Sequence, residues 1–132
     1  MDQPPRILIC GSRDYANYQK IRDFVFSLPT GTVIIEGEAR GADKMSAQAA
    51  EEKGIPDERV LRFPADWTKY GRAAGFIRNR QMLCDGKPTH VAAFHDDIES
   101  SKGTQDMIAA AQREDVPVLL NPERWWDFDG QD

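Results

Sequence analysis

Four short segments of the sequence combine glycine with cationic, hydroxyl or amide side chains. They are residues 11–13 (Gly-Ser-Arg), residues 37–43, residues 71–82 and residues 102–104 (Lys-Gly-Thr). Glycines leave backbone N–H groups accessible, and hydroxyl and guanidinium groups add further donors, so such segments suit the binding of phosphate. The pattern therefore predicts a site for an anionic, phosphate-bearing ligand.

The elements that position these segments follow from the apolar pattern. Short β-branched runs at residues 6–10, 32–36, 60–63, 89–94 and 116–120 are typical of buried parallel strands. Helical spacing of apolar residues separates them, at about 21–28, 43–53, 71–84 and from 102 onward. The alternation predicts an α/β fold, a three-layer Rossmann-like domain with a mostly parallel five-stranded sheet. At 132 residues we expect one domain, with its core at about 6–120 and a tail at 121–132 that folds back through Trp125 and Trp126.

All four segments follow a predicted strand, so they should meet at one edge of the sheet. Ligands of open parallel sheets bind beyond the carboxyl ends of the strands, where the strand order reverses. The expected ligand contacts are Gly11, Ser12, Arg13, Gly37, Arg40, Gly41, Asp43, Trp67, Gly75, Arg78, Asn79, Lys102, Gly103 and Thr104.

Each of these residues also has a purely structural interpretation. Asp43 and Thr104 fit helix N-caps as well as they fit ligand contacts. Trp67 either stacks on a base or covers the core, and Arg78 either holds phosphate or forms a structural ion pair. His95 is expected to be an incidental loop histidine.

The segment at 71–84 is predicted to be a helix with two different faces. One stripe carries Gly71, Gly75, Arg78 and Met82, which would let a ligand approach the helix backbone. The opposite side, expected to face the core, carries Ala73, Phe76, Ile77, Leu83 and Cys84.

Composition excludes several classes of function. The net charge of −5 argues against nonspecific nucleic-acid or membrane binding as the main role. No apolar run is long enough to span a bilayer, and the polar start at residues 1–5 does not resemble a signal peptide. Cys10 and Cys84 lack metal-ligand spacing, so we expect no metal site and a reducing, cytoplasmic compartment. Dinucleotide-binding, P-loop and hydrolase-elbow motifs are absent from the sequence.

The segments together resemble the YspA-like branch of the SLOG superfamily, in the expected order and over about residues 6–120. The motifs are Gly11-Ser12-Arg13, then Gly37 with Arg40-Gly41-Ala42-Asp43, then Trp67 with the Gly71, Ala74, Gly75, Arg78, Asn79 and Met82 positions, and finally Lys102-Gly103-Thr104 with Met107. The superfamily includes the LOG phosphoribohydrolases and DprA. The resemblance implies a Rossmann-like fold that binds a nucleotide or a nucleotide-derived ligand such as NAD or ADP-ribose. At position 38 the branch usually has glycine, whereas this chain has Glu38.

Comparison with LOG enzymes raises the question of catalysis. Their R-x-x-x-M helix resembles Arg78 to Met82, and their G-T-x-x-E segment resembles residues 103–107. The LOG arginine and glutamate serve cleavage of the base from a nucleoside monophosphate, but Met107 stands where the glutamate would be. The candidate catalytic residues are therefore Arg78 together with Glu36, Glu38 or Asp106.

Three functions stay open on the sequence alone. The first is a domain that senses or processes a nucleotide-derived ligand, and the second is a LOG-like or related N-glycosidic hydrolase. The third is a nucleic-acid or protein interaction module, with DprA-like nucleic-acid binding disfavoured by the acidic charge. The LOG resemblance also implies a homodimer.

Overall fold

The computed structural model describes residues 3–130. Met1 and Asp2, at the start of the polar N-terminal segment, and Gln131 and Asp132, at the end of the tail, lie outside the described residues. The strands are β1 Arg6–Gly11, β2 Val33–Glu36, β3 Val60–Arg62, β4 His90–Phe94 and β5 Val118–Leu120. The helices are α1 Tyr18–Phe26, α2 Ala42–Lys53, α3 Trp67–Tyr70, α4 Ala74–Gly86 and α5 Lys102–Arg113.

The strands form one sheet in the order β3-β2-β1-β4-β5, and every neighbouring pair is parallel. Leu8, in the central strand, lies opposite Ile35 on one side and Val91 on the other. The predicted α/β Rossmann-like fold is confirmed, and the predicted strands differ from the observed ones by one or two residues at their ends.

Helices cover both faces of the sheet and create two apolar cores. On one face α1 and α2 pack over β1, β2 and β4, with Ile21, Phe24 and Ala49 fully buried. On the other face α4 and α5 contribute Met82, Met107 and Ala111 to a core around Leu8 and Ile35. Side chains of β1 alternate between the cores, Ile7 and Ile9 on one side and Leu8 and Cys10 on the other, as the two-residue period of a strand requires.

The helix predicted at 71–84 differs from the observed one in its start and in its buried face. Gly71 has φ +55°, and a 3₁₀ turn at Gly71–Ala73 separates the short α3 from α4. The buried residues of α4 are Ala74, Arg78, Asn79, Met82 and Gly86, whereas Phe76 is 42% exposed and Cys84 is exposed. The predicted core face was therefore wrong for Phe76 and Cys84, whereas Leu83 does pack against the core around Leu8 and Ile35. Met82 of the glycine stripe packs on the sheet, and so does Gly86 one turn later, where a Cβ would come within 3.1 Å of the Ile35 Cγ2 atom.

The tail returns to the α1 side of the sheet. Phe128 is buried, and the ring of Trp125 lies edge-on to that of His90 at a centroid distance of 4.8 Å. Trp126 remains 58% exposed. Between residues 3 and 130, no helix has both the length and the apolar character needed to cross a membrane.

Candidate functional site

A cavity of about 420 Å³ opens at the carboxyl edge of the sheet. It lies where β1 and β4 are neighbours, which is the point at which the strand order reverses because the chain adds β2 and β3 on one side before crossing to β4. The Ser12 N–H donates to the Phe94 carbonyl oxygen at 3.0 Å and joins the ends of these two strands. The position of the cavity therefore follows from the strand order of the sheet.

The structure brings most of the predicted contact residues to this cavity. Those that line it are Gly11, Ser12, Arg13, Asp43, Trp67, Gly75, Arg78, Asn79, Lys102, Gly103 and Thr104. Gly37 and Arg40 line a neighbouring cavity instead. Gly41 lines neither of the two, and its positive φ of +81° serves the turn that begins α2, with its backbone packed against Ser12.

Arg78 is the most deeply placed cation of the cavity wall. It is 9% exposed, its Nη1 donates to the Gly37 carbonyl oxygen at 2.5 Å, and its Nε donates to Asn79 Oδ1 at 3.2 Å. A Cβ at residue 37 would overlap the Nη1 atom, so only glycine leaves room for the guanidinium there. The glycine after β2 thus positions an arginine of α4.

Asp43 is the buried carboxylate of the same wall. It is 5% exposed, and one of its oxygens accepts the Ala39 N–H at 3.2 Å. Burial raises the pKa of Asp43 to about 6, while the positive charge of Arg78 and the backbone N–H groups before α2 oppose the increase. The N-cap of α2 is Gly41, so Asp43 is not the N-cap but a first-turn carboxylate on the cavity.

Two of the candidate catalytic carboxylates, Glu36 and Asp106, do not reach the cavity. Glu36 is 1% exposed beneath the turn, where it accepts the Glu38 N–H at 2.5 Å and lies 3.9 Å from the Nε of Arg62. Asp106 forms a bidentate pair with Arg80, at 2.9 and 3.0 Å, and accepts a bond from Asn79. Both carboxylates are turned toward structural partners, so neither faces the space where a ligand would lie.

Glu38 lines the second cavity and adopts a backbone conformation that favours glycine. Its φ is +58°, which accounts for the glycine expected at this position from the family resemblance. The carboxylate of Glu38 is 3.8 Å from the Nε of Arg62. Its charge is therefore directed toward β3 and away from the α4 arginine.

The start of α5 forms another part of the wall. Ser101 is the N-cap, because its hydroxyl oxygen accepts the Thr104 N–H at 3.2 Å, and so the N-cap interpretation of Thr104 was wrong. Lys102 is exposed, and a Cβ at Gly103 would meet none of the described residues within 4 Å. The first turn of the helix thus presents its backbone and one flexible cation to open space.

Trp67 and Arg13 form the outer rim. The guanidinium carbon of Arg13 lies 5.2 Å from the ring centroid of Trp67, and the tryptophan is 48% exposed. The ring therefore does not cover the core, which was one of the two interpretations of this residue. An exposed aromatic ring beside a guanidinium is suited to stacking on a planar group.

Several wall residues were missed from the sequence. His95 is 7% exposed and accepts the Asp97 N–H on Nδ1 at 2.8 Å, so it is part of the wall and not an incidental loop residue. Burial, aided by the charge of Asp43, raises the pKa of the Cys10 thiol, which keeps it protonated. Arg72, Ser101 and Met107 also line the cavity. The position of Cys10 and His95 at the ends of the two central strands was the available signal.

Glu36 is expected to make the fold more stable in mild acid. Burial raises the pKa of Glu36 from 4.5 to about 7, so that as the pH falls this carboxylate is protonated at a higher pH in the native state than in the unfolded chain. The stabilisation is complete below the unfolded pKa and is lost as the pH rises through about 7. Glu36→Gln should reduce the difference in unfolding free energy between about pH 8 and about pH 5 by on the order of 1–3 kcal/mol. Urea unfolding at both pH values measures this, and an unchanged difference would contradict it.

Two known proteins resemble the chain over most of its length. Gene 61 protein of Mycobacterium phage D29 is 31% identical over 122 residues, which cover 86% of this chain and 94% of the phage protein. The structure of DNA processing protein A (DprA) from Streptococcus pneumoniae superposes with a TM-score of 0.55 at 14% identity. That likeness covers 97% of this chain but only 62% of DprA, and it shows a shared fold.

A protein-family model also matches residues 5–70, from β1 to the end of α3. The match includes the residue 11–13 and 37–43 segments and Trp67, while Arg78 and Lys102 lie beyond it. With the phage relative and the DprA-like fold, it confirms the resemblance inferred from the motifs: the chain belongs to the YspA, cpYpsA-related SLOG family.

Proposed function

We propose that this domain binds a nucleotide or nucleotide-derived ligand, of the NAD, ADP-ribose or nucleoside phosphate type, at the carboxyl edge of its sheet. The observation that carries the proposal is the charge of the cavity wall. Among the described residues, four cationic side chains line it, Arg13, Arg72, Arg78 and Lys102, against the two carboxylates Asp14 and Asp43. This excess of positive charge occurs in a chain of net charge −5, so it is local and suited to phosphate.

The geometry suggests a role for each part of the wall. Lys102 and the first turn of α5 face the phosphate, with the hydroxyl of Thr104 and the backbone of Gly103 as donors. Asp43 accepts a ribose hydroxyl, and the exposed ring of Trp67 offers a stacking surface to a planar group of the ligand. Arg78 supplies a fixed positive charge at the bottom of the cavity. A domain of this kind serves as a sensor or as a processing module.

The test is calorimetric titration of the full chain with AMP, ADP-ribose and NAD, with inorganic phosphate as the minimal probe. We expect at least one nucleotide to bind with a dissociation constant in or below the 0.1 mM range, about −5.5 kcal/mol. Absence of binding by all three nucleotides would overturn the proposal. Mass spectrometry of small molecules that copurify with the protein identifies the natural ligand.

A second candidate function is hydrolysis of an N-glycosidic bond in the same cavity. Asp43 favours it, because this carboxylate lies on the wall and has a pKa near 6, within the range useful for general acid–base chemistry. Met107 is buried at the position of the LOG glutamate and supplies no such group. Free base released from a nucleotide panel by the wild type, and not by Asp43→Asn, would support it. If no nucleotide of the panel is hydrolysed under conditions where one of them binds, nucleotide binding without hydrolysis is the function that remains.

Partners and compartment belong to the same proposal. We place the protein in the cytoplasm because Cys10 and Cys84 are both free thiols, as in a reducing compartment. We expect a homodimer by analogy with LOG proteins, and light scattering that gives a monomer mass at high concentration would exclude it. A role in DNA processing, which gives DprA its name, is not favoured for this chain because its net charge of −5 opposes binding to nucleic acid.

A further inference from the structure

A second cavity, of about 340 Å³, lies beside the first along the turn that precedes α2. Arg13, Ala39, Trp67 and Arg78 line both cavities, so the two share a wall. Arg40 lines only the second cavity. The volume of the second cavity falls within the range of small-molecule binding sites. The two cavities thus form adjoining compartments with Arg78 at the boundary between them.

The outer part of the boundary is a contact that a ligand can open. Arg13 lies over the exposed ring of Trp67 at 5.2 Å, and such exposed cation–π contacts are weak. An anion placed between the compartments would attract the guanidinium of Arg13 and leave the indole ring in place. A single ligand can therefore extend from one compartment into the other.

The charges of the second compartment favour an anion as well. Arg40 forms an ion pair with Asp14 at 3.3 Å, and because their side chains are 73% and 87% exposed the pair is weak and open to exchange. Among the described residues that line this compartment, Glu38 is the one acidic side chain, and its charge is partly neutralised by Arg62 at 3.8 Å. Arg40 is thus a cation available to a ligand at a point where the local carboxylate is already engaged.

We propose that the second compartment is a subsite for the part of the ligand beyond its first phosphate, namely a second phosphate and the sugar attached to it, with Arg40 as its specific contact. This inference rests on the proposed function, since it assumes a nucleotide in the first cavity. Such a subsite makes the domain selective for ligands with a pyrophosphate and a second sugar, such as ADP-ribose, over mononucleotides. Arg40 then discriminates between ligands without contributing to the site of the first phosphate.

The experiment compares AMP and ADP-ribose as probes of the wild type, Arg40→Ala and Arg40→Lys by calorimetry. Arg113→Ala is the matched control, because Arg113 is an exposed arginine of α5 that lines neither cavity. We expect Arg40→Ala to weaken ADP-ribose binding about tenfold, as loss of one charge-assisted contact would, and to change AMP binding less than about twofold. Arg40→Lys should recover most of the loss, and Arg113→Ala should match the wild type.

The outcomes separate the subsite from the proposed function. If Arg40→Ala weakens both probes equally or neither, or if the wild type binds ADP-ribose no more tightly than AMP, the subsite is wrong while the nucleotide site stands. If the wild type binds neither probe, nor NAD, both proposals fall.

Discussion

Replacing Arg78 by alanine is expected to weaken nucleotide binding by about 100-fold, equivalent to about 2.7 kcal/mol. Arg78 is 9% exposed, lines both cavities and donates to the Gly37 carbonyl oxygen, so its charge is preorganised and largely shielded from solvent. Its loss also removes the cation whose charge holds down the pKa of Asp43. The base of the site would then be anionic or neutral. Calorimetry with the nucleotide that the wild type binds most tightly measures the effect.

Glycine variants separate the position of Arg78 from its mere presence. Gly37→Ala keeps the arginine but places a Cβ in steric overlap with its Nη1 atom, so we expect most of the binding loss of Arg78→Ala. Gly130→Ala is the control, since Gly130 lines neither cavity and a Cβ there would meet none of the described residues within 4 Å. Near-wild-type affinity in both Gly37→Ala and Arg78→Ala would show that Arg78 is a structural arginine.

Gly11→Ala is expected to destabilise the fold by about 3 kcal/mol or more, or to prevent folding. A Cβ at residue 11 would overlap the Phe94 carbonyl oxygen, which is the acceptor of the Ser12 N–H that joins β1 to β4. Backbone atoms in the central strands cannot move aside as the end of a flexible side chain can. The clash therefore has to be relieved by separating the two central strands.

Urea unfolding followed by circular dichroism measures this loss, with Gly103→Ala as the control. Gly103 is also a glycine of the cavity wall, but a Cβ there meets no atom of residues 3–130 within 4 Å, so its stability should stay within about 1 kcal/mol of the wild type. Equal stabilities of the two variants would contradict the close approach of β1 and β4.

The fold was predictable because parallel strands buried on both faces produce continuous apolar runs. The runs around Leu8, Ile35 and Ala92 needed no tertiary information. The orientation of α4 was not predictable in the same way. Its apolar residues Phe76 and Ile77 suggested a core face, but α4 packs on the sheet through Met82 and Gly86 and reaches the cavity with its N-terminal part. The face with Arg78, Asn79 and Met82 is buried there because the polar groups find partners in Gly37 and Asp106.

The location of the candidate site could be predicted from the topology. Which residues face the first cavity, the second cavity or neither could not. Strand ends in a parallel sheet share an edge, so the glycine-containing segments could be expected to converge. Which carboxylate faces the cavity depends on side-chain contacts of residues distant in sequence. Arg80 draws Asp106 away, the Glu38 turn encloses Glu36, and Asp43 remains on the wall. The separation of Arg40 into a second compartment depends likewise on where Trp67 and Arg13 meet.

Chemical-shift mapping with a ¹⁵N-labelled sample tests the central claim most directly. Addition of ADP-ribose or AMP is predicted to shift the amides of Ser12 and Gly103 and the indole N–H of Trp67, which line the cavity. The amide of Gly54, at the opposite end of α2, and the indole of Trp126 in the tail should not move. Shifts confined to the carboxyl edge would place the ligand in the predicted cavity. No shifts with any nucleotide, or shifts concentrated at Trp126 and the tail, would contradict it.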